Sequence, residues 1–205
     1  LNDEWQAPEI LPSPINSDEY HTGNPAFSAD GKRMYFTRCT DNGNVDIMCK
    51  IYLSKYENGR WGEPIELSAG INKEDANNTQ PAVAKGESGD ILYFSSNREG
   101  GYGGYDIYFS EVNENGVGTS PENLGNIVNT ERDEVTPYYY EKFGRLFFSS
   151  DGHPGLGGYD IFRTDGNEEG WEEVSNMGYP VNSPADDLYF TYGNEKRVYY
   201  MVSNR

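Results

Sequence analysis

The chain has 205 residues and a formal net charge of −18, from 16 basic and 34 acidic side chains. That sign repels phosphate backbones and excludes nucleic acid as a natural partner, while it favours solubility, cations or a basic protein surface. No run of about 18 apolar residues occurs, so no membrane-spanning helix is expected.

Residues 5–11, with Trp5, read as a lone outer strand, the remnant of a unit that then repeats along the chain. The first complete unit covers 24–67. It has a short strand at 24–28, a second at 33–38 ("RMYFTR"), a third at 50–56 ("KIYLSKY") and a fourth at 61–67 ("WGEPIEL"). Asp30-Gly31 and Asn58-Gly59 supply the hairpin turns. Pro64 marks the fourth strand as an edge, because proline cannot donate to a ladder on both sides.

The same phrase returns at 80–124 and 136–178, and its first half returns at 187–205. Pro25, Pro81 and Pro137 stand 56 residues apart, and Ile51, Ile107 and Ile161 keep the register. Asn16, Asn72, Asn129 and Asn182 close successive units at spacings of 56, 57 and 53. Trp61 and Trp171 match one another, whereas the second unit has Val117 at that place. No window has apolar spacing of three and four over a helical length, and 24 Gly with 11 Pro would break one. Four-stranded antiparallel units at this period predict an all-β chain, a β-propeller whose blades stack through 17 Tyr and 9 Phe. Three full blades and parts of others form one domain over 1–205. The ring is expected to be incomplete, since a propeller must close to hide its edges. Residues 5–11 would then close it as the outer strand of the last blade.

Cys39 and Cys49 flank the connection between the second and third strands of the first blade. Facing positions on such a hairpin bring Cβ atoms about 4.5–5.5 Å apart, so a disulfide is predicted, and with it an oxidising compartment. A zinc site would need further Cys or His nearby, and none is there.

Two loop families recur at one end of the blades. The glycine loops contain Gly103, Gly104, Tyr105 and Asp106 in one blade and Gly157, Gly158, Tyr159 and Asp160 in the next. No helix follows them and no Lys-Ser/Thr pair appears, so they are expected to be structural turns and not phosphate cradles. The inter-blade loops carry Asp18 and Glu19, Glu74 and Asp75, Glu131, Asp133 and Glu134, and Asp186 and Asp187. On one face these carboxylates would bind a basic protein partner, coordinate Ca²⁺ weakly, or simply cap turns between blades. No metal or other cofactor is otherwise expected. His21 and His153 lie in different blades and no Ser or Cys nucleophile sits in a known motif, so an enzyme is not expected.

The phrases "NPAFSADGKRMYFTR", "YFSSNREGGYGGYDIYFS" and "FFSSDGHPGLGGYDIF" resemble the TolB-type, WD-like repeats of Bacteroidota envelope proteins. They are similar in particular to the propeller segment of OmpA-family lipoproteins, a group that includes a component of the type IX secretion system. The resemblance implies a six-bladed, non-catalytic scaffold in the periplasm, associated with the outer membrane. Its partner would be an envelope or outer-membrane protein of a secretion complex. Peptidoglycan would be bound only through flanking domains that these residues do not contain. The alternative is a propeller hydrolase, or a peptidase-associated propeller, whose acidic loops line a substrate pocket.

Overall fold

The computed structural model describes residues 7–41, 47–193 and 198–205. Blade one contains β1 (His21–Phe27), β2 (Arg33–Asp41) and β3 (Ile47–Glu57), followed by two short pieces, β4 (Arg60–Trp61) and β5 (Ile65–Glu66), which both pair with β3. Pro64 lies in the break between those pieces, so the predicted fourth strand is split. Blade two is β6 (Asn78–Lys85), β7 (Asp90–Ser96), β8 (Asp106–Val112) and β9 (Glu122–Asn123). Blade three is β10 (Glu134–Tyr140), β11 (Arg145–Ser150), β12 (Asp160–Asn167), β13 (Gly170–Trp171) and β14 (Ser175–Asn176). A fourth sheet pairs β15 (Asp187–Tyr192) with β16 (Tyr199–Ser203). The lone strand expected at 5–11 is not formed over Ala7–Leu11, and residues 1–6 lie outside the described residues.

The inner strands begin two or three residues earlier than the prolines suggested. Pairing breaks between Gly23 and Ala26, Thr79 and Ala82, Val135 and Tyr138, and Leu188 and Thr191, and resumes on either side. The repeated proline therefore sits inside a β-bulge, where its missing N–H costs no ladder bond.

Side chains of adjacent blades make the core. Strands such as β2 and β7 are apolar on both faces because their sheets are covered on both sides. Tyr35, Ile51, Leu53, Leu92, Phe94 and Val112 pack between blades one and two. Tyr93, Ile107, Leu146, Phe148 and Phe162 fill the next seam, and Phe147, Ile161, Val181 and Phe190 the one after it. In that last seam the rings of Phe147 and Phe190 stack at 4.5 Å.

The closing asparagines have a definite task. Asn72 accepts from the Ile51 N–H and donates to the Ile51 carbonyl, both at 2.8 Å. Asn129 does the same to Ile107 at 2.8 and 3.0 Å, and Asn182 to Ile161 at 2.8 Å twice. Each buried amide thus supplies the main-chain partners that a third strand lacks at that point. A cation then clamps the same loop. Arg38 donates to the Pro14 and Ile15 carbonyls, Arg98 to those of Gly70 and Ile71, and Arg205 to those of Pro180 and Val181. In blade three the imidazole of His153 lies 2.9 Å from the Val128 carbonyl oxygen instead.

Cys39 and Cys49 are direct partners across β2 and β3 and form the predicted disulfide, with Cα atoms 4.0 Å apart. The missing tryptophan of blade two also has a structural reason. Residues around Val117 lean on blade one, with Ser68 N–H donating to Gly116 O at 3.0 Å and Gly118 N–H to Ser68 Oγ at 3.1 Å. Trp171, by contrast, packs edge-on against Tyr93 and Tyr139.

Candidate functional site

The acidic loops are not one uniform face. Asp18, Glu19, Glu74, Asp75 and Glu131 are exposed, but Glu134 and Asp187 are fully buried at the start of their inner strands. Glu134 accepts from the Thr130 N–H and hydroxyl and from the Ser150 hydroxyl, each at 2.7 Å. Burial pushes its carboxyl above the ordinary range. Asp187 accepts from Ser183 N–H and Oγ at 2.6 and 2.8 Å and faces Arg205 at 3.7 Å. Neither can meet a partner, which corrects their placement on a binding surface. Asp133 and Asp186 are half-buried latches. They accept the N–H groups of Tyr105 and Tyr159 at 2.7 and 3.0 Å, and Tyr159 also donates its phenol to Asp133 at 3.0 Å.

The glycine loops are structural. Asp106 accepts from the N–H groups of Tyr102 and Gly103, and Asp160 from that of Gly157. A Cβ on Gly103 would lie 2.2 Å from Arg132 O, and one on Gly157 would lie 2.1 Å from Ala185 O. A Cβ on Gly104 or Gly158 would come as close to the Asp133 or Asp186 carboxylate. These glycines let one blade's loop touch the main chain of the next. Among the described residues no group of three or more His, Cys, Asp or Glu side chains converges as a metal site, and no helix is long and apolar enough to cross a membrane.

The concave site lies elsewhere, on the blade axis. Asn24, Gln80, Thr136 and Tyr189 hold the same place in the four inner strands, and each has a positive φ of 52–57°. For side chains other than glycine this region is sparsely populated, and each such residue costs about 1–3 kcal/mol. The four make one belt of neutral hydrogen-bonding groups. Asn24 Nδ2 donates to Tyr189 Oη at 2.8 Å, and Gln80 Nε2 reaches the same oxygen at 3.4 Å. Gln80 Oε1 accepts from Thr136 N at 3.0 Å, and Thr136 Oγ1 accepts from Tyr189 N at 3.4 Å.

A cavity of about 540 Å³ extends from this belt along the inner strands, within the usual size range of small-molecule sites. Its walls combine Pro25, Pro81 and Pro137 with Phe27, Tyr138 and Tyr192. No carboxylate lines it. The residues before the belt do not line it either, so it opens towards the turns that join first and second strands, away from the acidic loops. Towards the same turns lies a separate cavity of about 410 Å³, between blades one and two, lined by Asp30, Arg33, Lys85, Glu87 and the buried Asp90. Arg33 holds Asp90 through Nε at 2.6 Å and Nη2 at 3.0 Å. Asp30 accepts from Ser28 Oγ at 2.6 Å and Lys32 N–H at 3.0 Å, which holds its carboxyl below the usual carboxylate range. Sequence reasoning missed the belt because its members differ chemically. The signal was their register, each standing immediately before the repeated proline or its counterpart Phe190.

Three solved structures share the fold. An α-L-arabinofuranosidase from Lactobacillus brevis matches with a TM-score of 0.60 at 14% identity, over 89% of this chain and 64% of its own. An endo-arabinase from Bacteroides thetaiotaomicron matches with a TM-score of 0.54 at 14% identity, over 95% and 78%. TolB from Acinetobacter baumannii matches with a TM-score of 0.50 at 17% identity, over 88% and 40%. The fold is a β-propeller. The chain thus spans less than two thirds of the arabinofuranosidase and of TolB. No protein-family model and no curated protein matches the sequence. The TolB-type character of the repeats stands, at the level of the fold. The expectation of a non-catalytic scaffold does not, because the propellers that this chain is similar to include named glycan-cleaving enzymes. Glycoside hydrolysis needs no Ser or Cys nucleophile, only two carboxylates, and the sequence holds too many carboxylates for spacing to single out such a pair.

Proposed function

We propose that this propeller is a glycoside hydrolase acting on an arabinose-containing or related glycan, with the sugar held in the axial cavity. The observation that carries the reading is that cavity itself. Aromatic and proline walls face a belt of amide and hydroxyl groups, a combination suited to a sugar ring with apolar faces and hydroxyl edges. Support also comes from the shared fold with an arabinofuranosidase and an endo-arabinase. The cavity is neutral, so the acid and base come from outside it. Asp30 and Glu87 line the separate cavity on exposed turns of neighbouring blades. Asp30, kept ionised by the Ser28 hydroxyl and the Lys32 N–H, takes the base or nucleophile role. Glu87 takes the role of the acid that protonates the leaving oxygen. An envelope location is part of the proposal, supported by the Cys39–Cys49 disulfide.

The test is release of reducing ends from arabino-oligosaccharides, arabinan and related pentose glycans. Turnover is expected in the unmodified chain and a loss of at least 10²-fold in D30N and E87Q, the scale of acid–base catalysis. Lack of turnover on every substrate overturns the reading. Turnover that survives the double variant overturns the carboxylate assignment.

A further inference from the structure

We infer that Tyr189 closes the propeller axis and makes the cavity a blind pocket, so that it takes the end of a glycan chain and not an internal stretch. The inference rests on the glycan reading above and adds the mode of engagement. Tyr189 departs from the pattern of its belt. The other three positions hold Asn24, Gln80 and Thr136, whose side chains are short or flexible and carry no ring. Tyr189 is the one member of the belt that brings a ring to this left-handed backbone position, at φ 57°. This backbone points the phenol inward, and its oxygen is reached by Asn24 of blade one and Gln80 of blade two. Contacts that span 165 and 109 residues of sequence tie three blades together across the axis.

The barrier lies at one end of the cavity. Lining residues start at the belt and continue only towards the first-to-second-strand turns. A polymer entering at that mouth meets the phenol and the two amides, and it cannot emerge among the acidic loops. What fits is one terminal residue, its hydroxyls answering groups that already exchange hydrogen bonds with one another. Tyr189 is therefore a specificity-determining residue, which selects chain ends by closing the path.

The experiment is calorimetric titration of the full chain, otherwise unmodified but carrying D30N and E87Q so that no substrate is consumed, with an α-1,5-linked arabino-oligosaccharide and with linear arabinan. One protein per chain end is expected for both probes. Tyr189→Asn shortens the side chain yet tolerates a positive φ, and Tyr189→Gly serves if it folds poorly. Either variant should bind several copies per arabinan chain, with the oligosaccharide still bound. If the chain that keeps Tyr189 already loads many copies along arabinan, the blind pocket is overturned while the glycan reading stands. Unchanged one-per-end binding in the variants overturns the assignment to Tyr189. Failure of both probes to bind overturns the glycan reading and this inference together.

Discussion

Replacing Asn129 by alanine removes a bond that the fold cannot make in any other way. The side chain is 1% exposed, and its Oδ1 accepts from Ile107 N at 2.8 Å. Its Nδ2 donates to Ile107 O at 3.0 Å and to Asn123 Oδ1 at 2.8 Å. The Ile107 carbonyl keeps a second donor, the Leu124 N–H at 3.1 Å. The Ile107 N–H has no such reserve, and a buried donor left unpaired costs about 1–3 kcal/mol. Adding about 1 kcal/mol for the lost bond to Asn123 gives roughly 2–4 kcal/mol, a large share of a typical 5–15 kcal/mol stability. Urea unfolding followed by tryptophan fluorescence and circular dichroism measures it as a fall in midpoint at constant slope. Asn16→Ala is the internal comparison. Among the described residues the Asn16 side chain bonds to Leu11 O, at 2.7 Å in an exposed setting, so its loss should stay within about 0.5 kcal/mol. Equal costs for the two variants would refute the idea that the closing asparagine is a main-chain partner for the blade.

Reducing the Cys39–Cys49 bond, or the double variant C39S/C49S, should lower stability by about 2–3 kcal/mol, the scale for closing a short loop; a melting temperature insensitive to reductant would count against it. Gly103→Ala forces a Cβ onto Arg132 O and should cost about 1–3 kcal/mol as overpacking, whereas Gly170→Ala, with open space around it, should cost under about 1 kcal/mol. Glu134 gives a pH signature. Its folded carboxyl has a raised pKa, chiefly from burial, so the native state binds protons more tightly than the unfolded chain. Its contribution to stability therefore falls as pH rises from the ordinary carboxylate range through the raised pKa. The melting temperature of E134Q should accordingly gain on that of the unmodified chain as pH rises through that window, and parallel curves would contradict the assignment.

The repeat was legible because packing between blades demands the same residue types at every seam. The isoleucine of the third strand, the closing asparagine and the paired aromatics of the second strand all return for that reason. The disulfide was legible because cross-strand neighbours on a hairpin are fixed by counting. The acidic loops were harder. Spacing put Glu134 and Asp187 beside exposed carboxylates, but the next inner strand begins at those residues and draws their side chains inward. The belt was invisible because an axial position is defined by backbone conformation, which Asn, Gln, Thr and Tyr can each satisfy. The cavity was illegible for a related reason: formed by four strands far apart in sequence, it leaves no local motif.

The seams also set how the molecule comes apart. Apart from the axial belt, each blade packs against its immediate neighbours, so the propeller behaves as a short one-dimensional array whose cohesion is mainly a sum of nearest-neighbour terms. The sheet of β15 and β16 has two strands where the others have four or five, and Tyr199, Tyr200 and Val202 on it stay exposed. Opening should therefore fray inward from that sheet, with amide exchange fastest in β16 and slowest in β7 and β11, whose blades are flanked on both sides. Tyr189 belongs to the fraying unit. The lock on the axis is thus carried by the least anchored sheet of the array, and a loss of cohesion there would open the axial path before any other seam gives way.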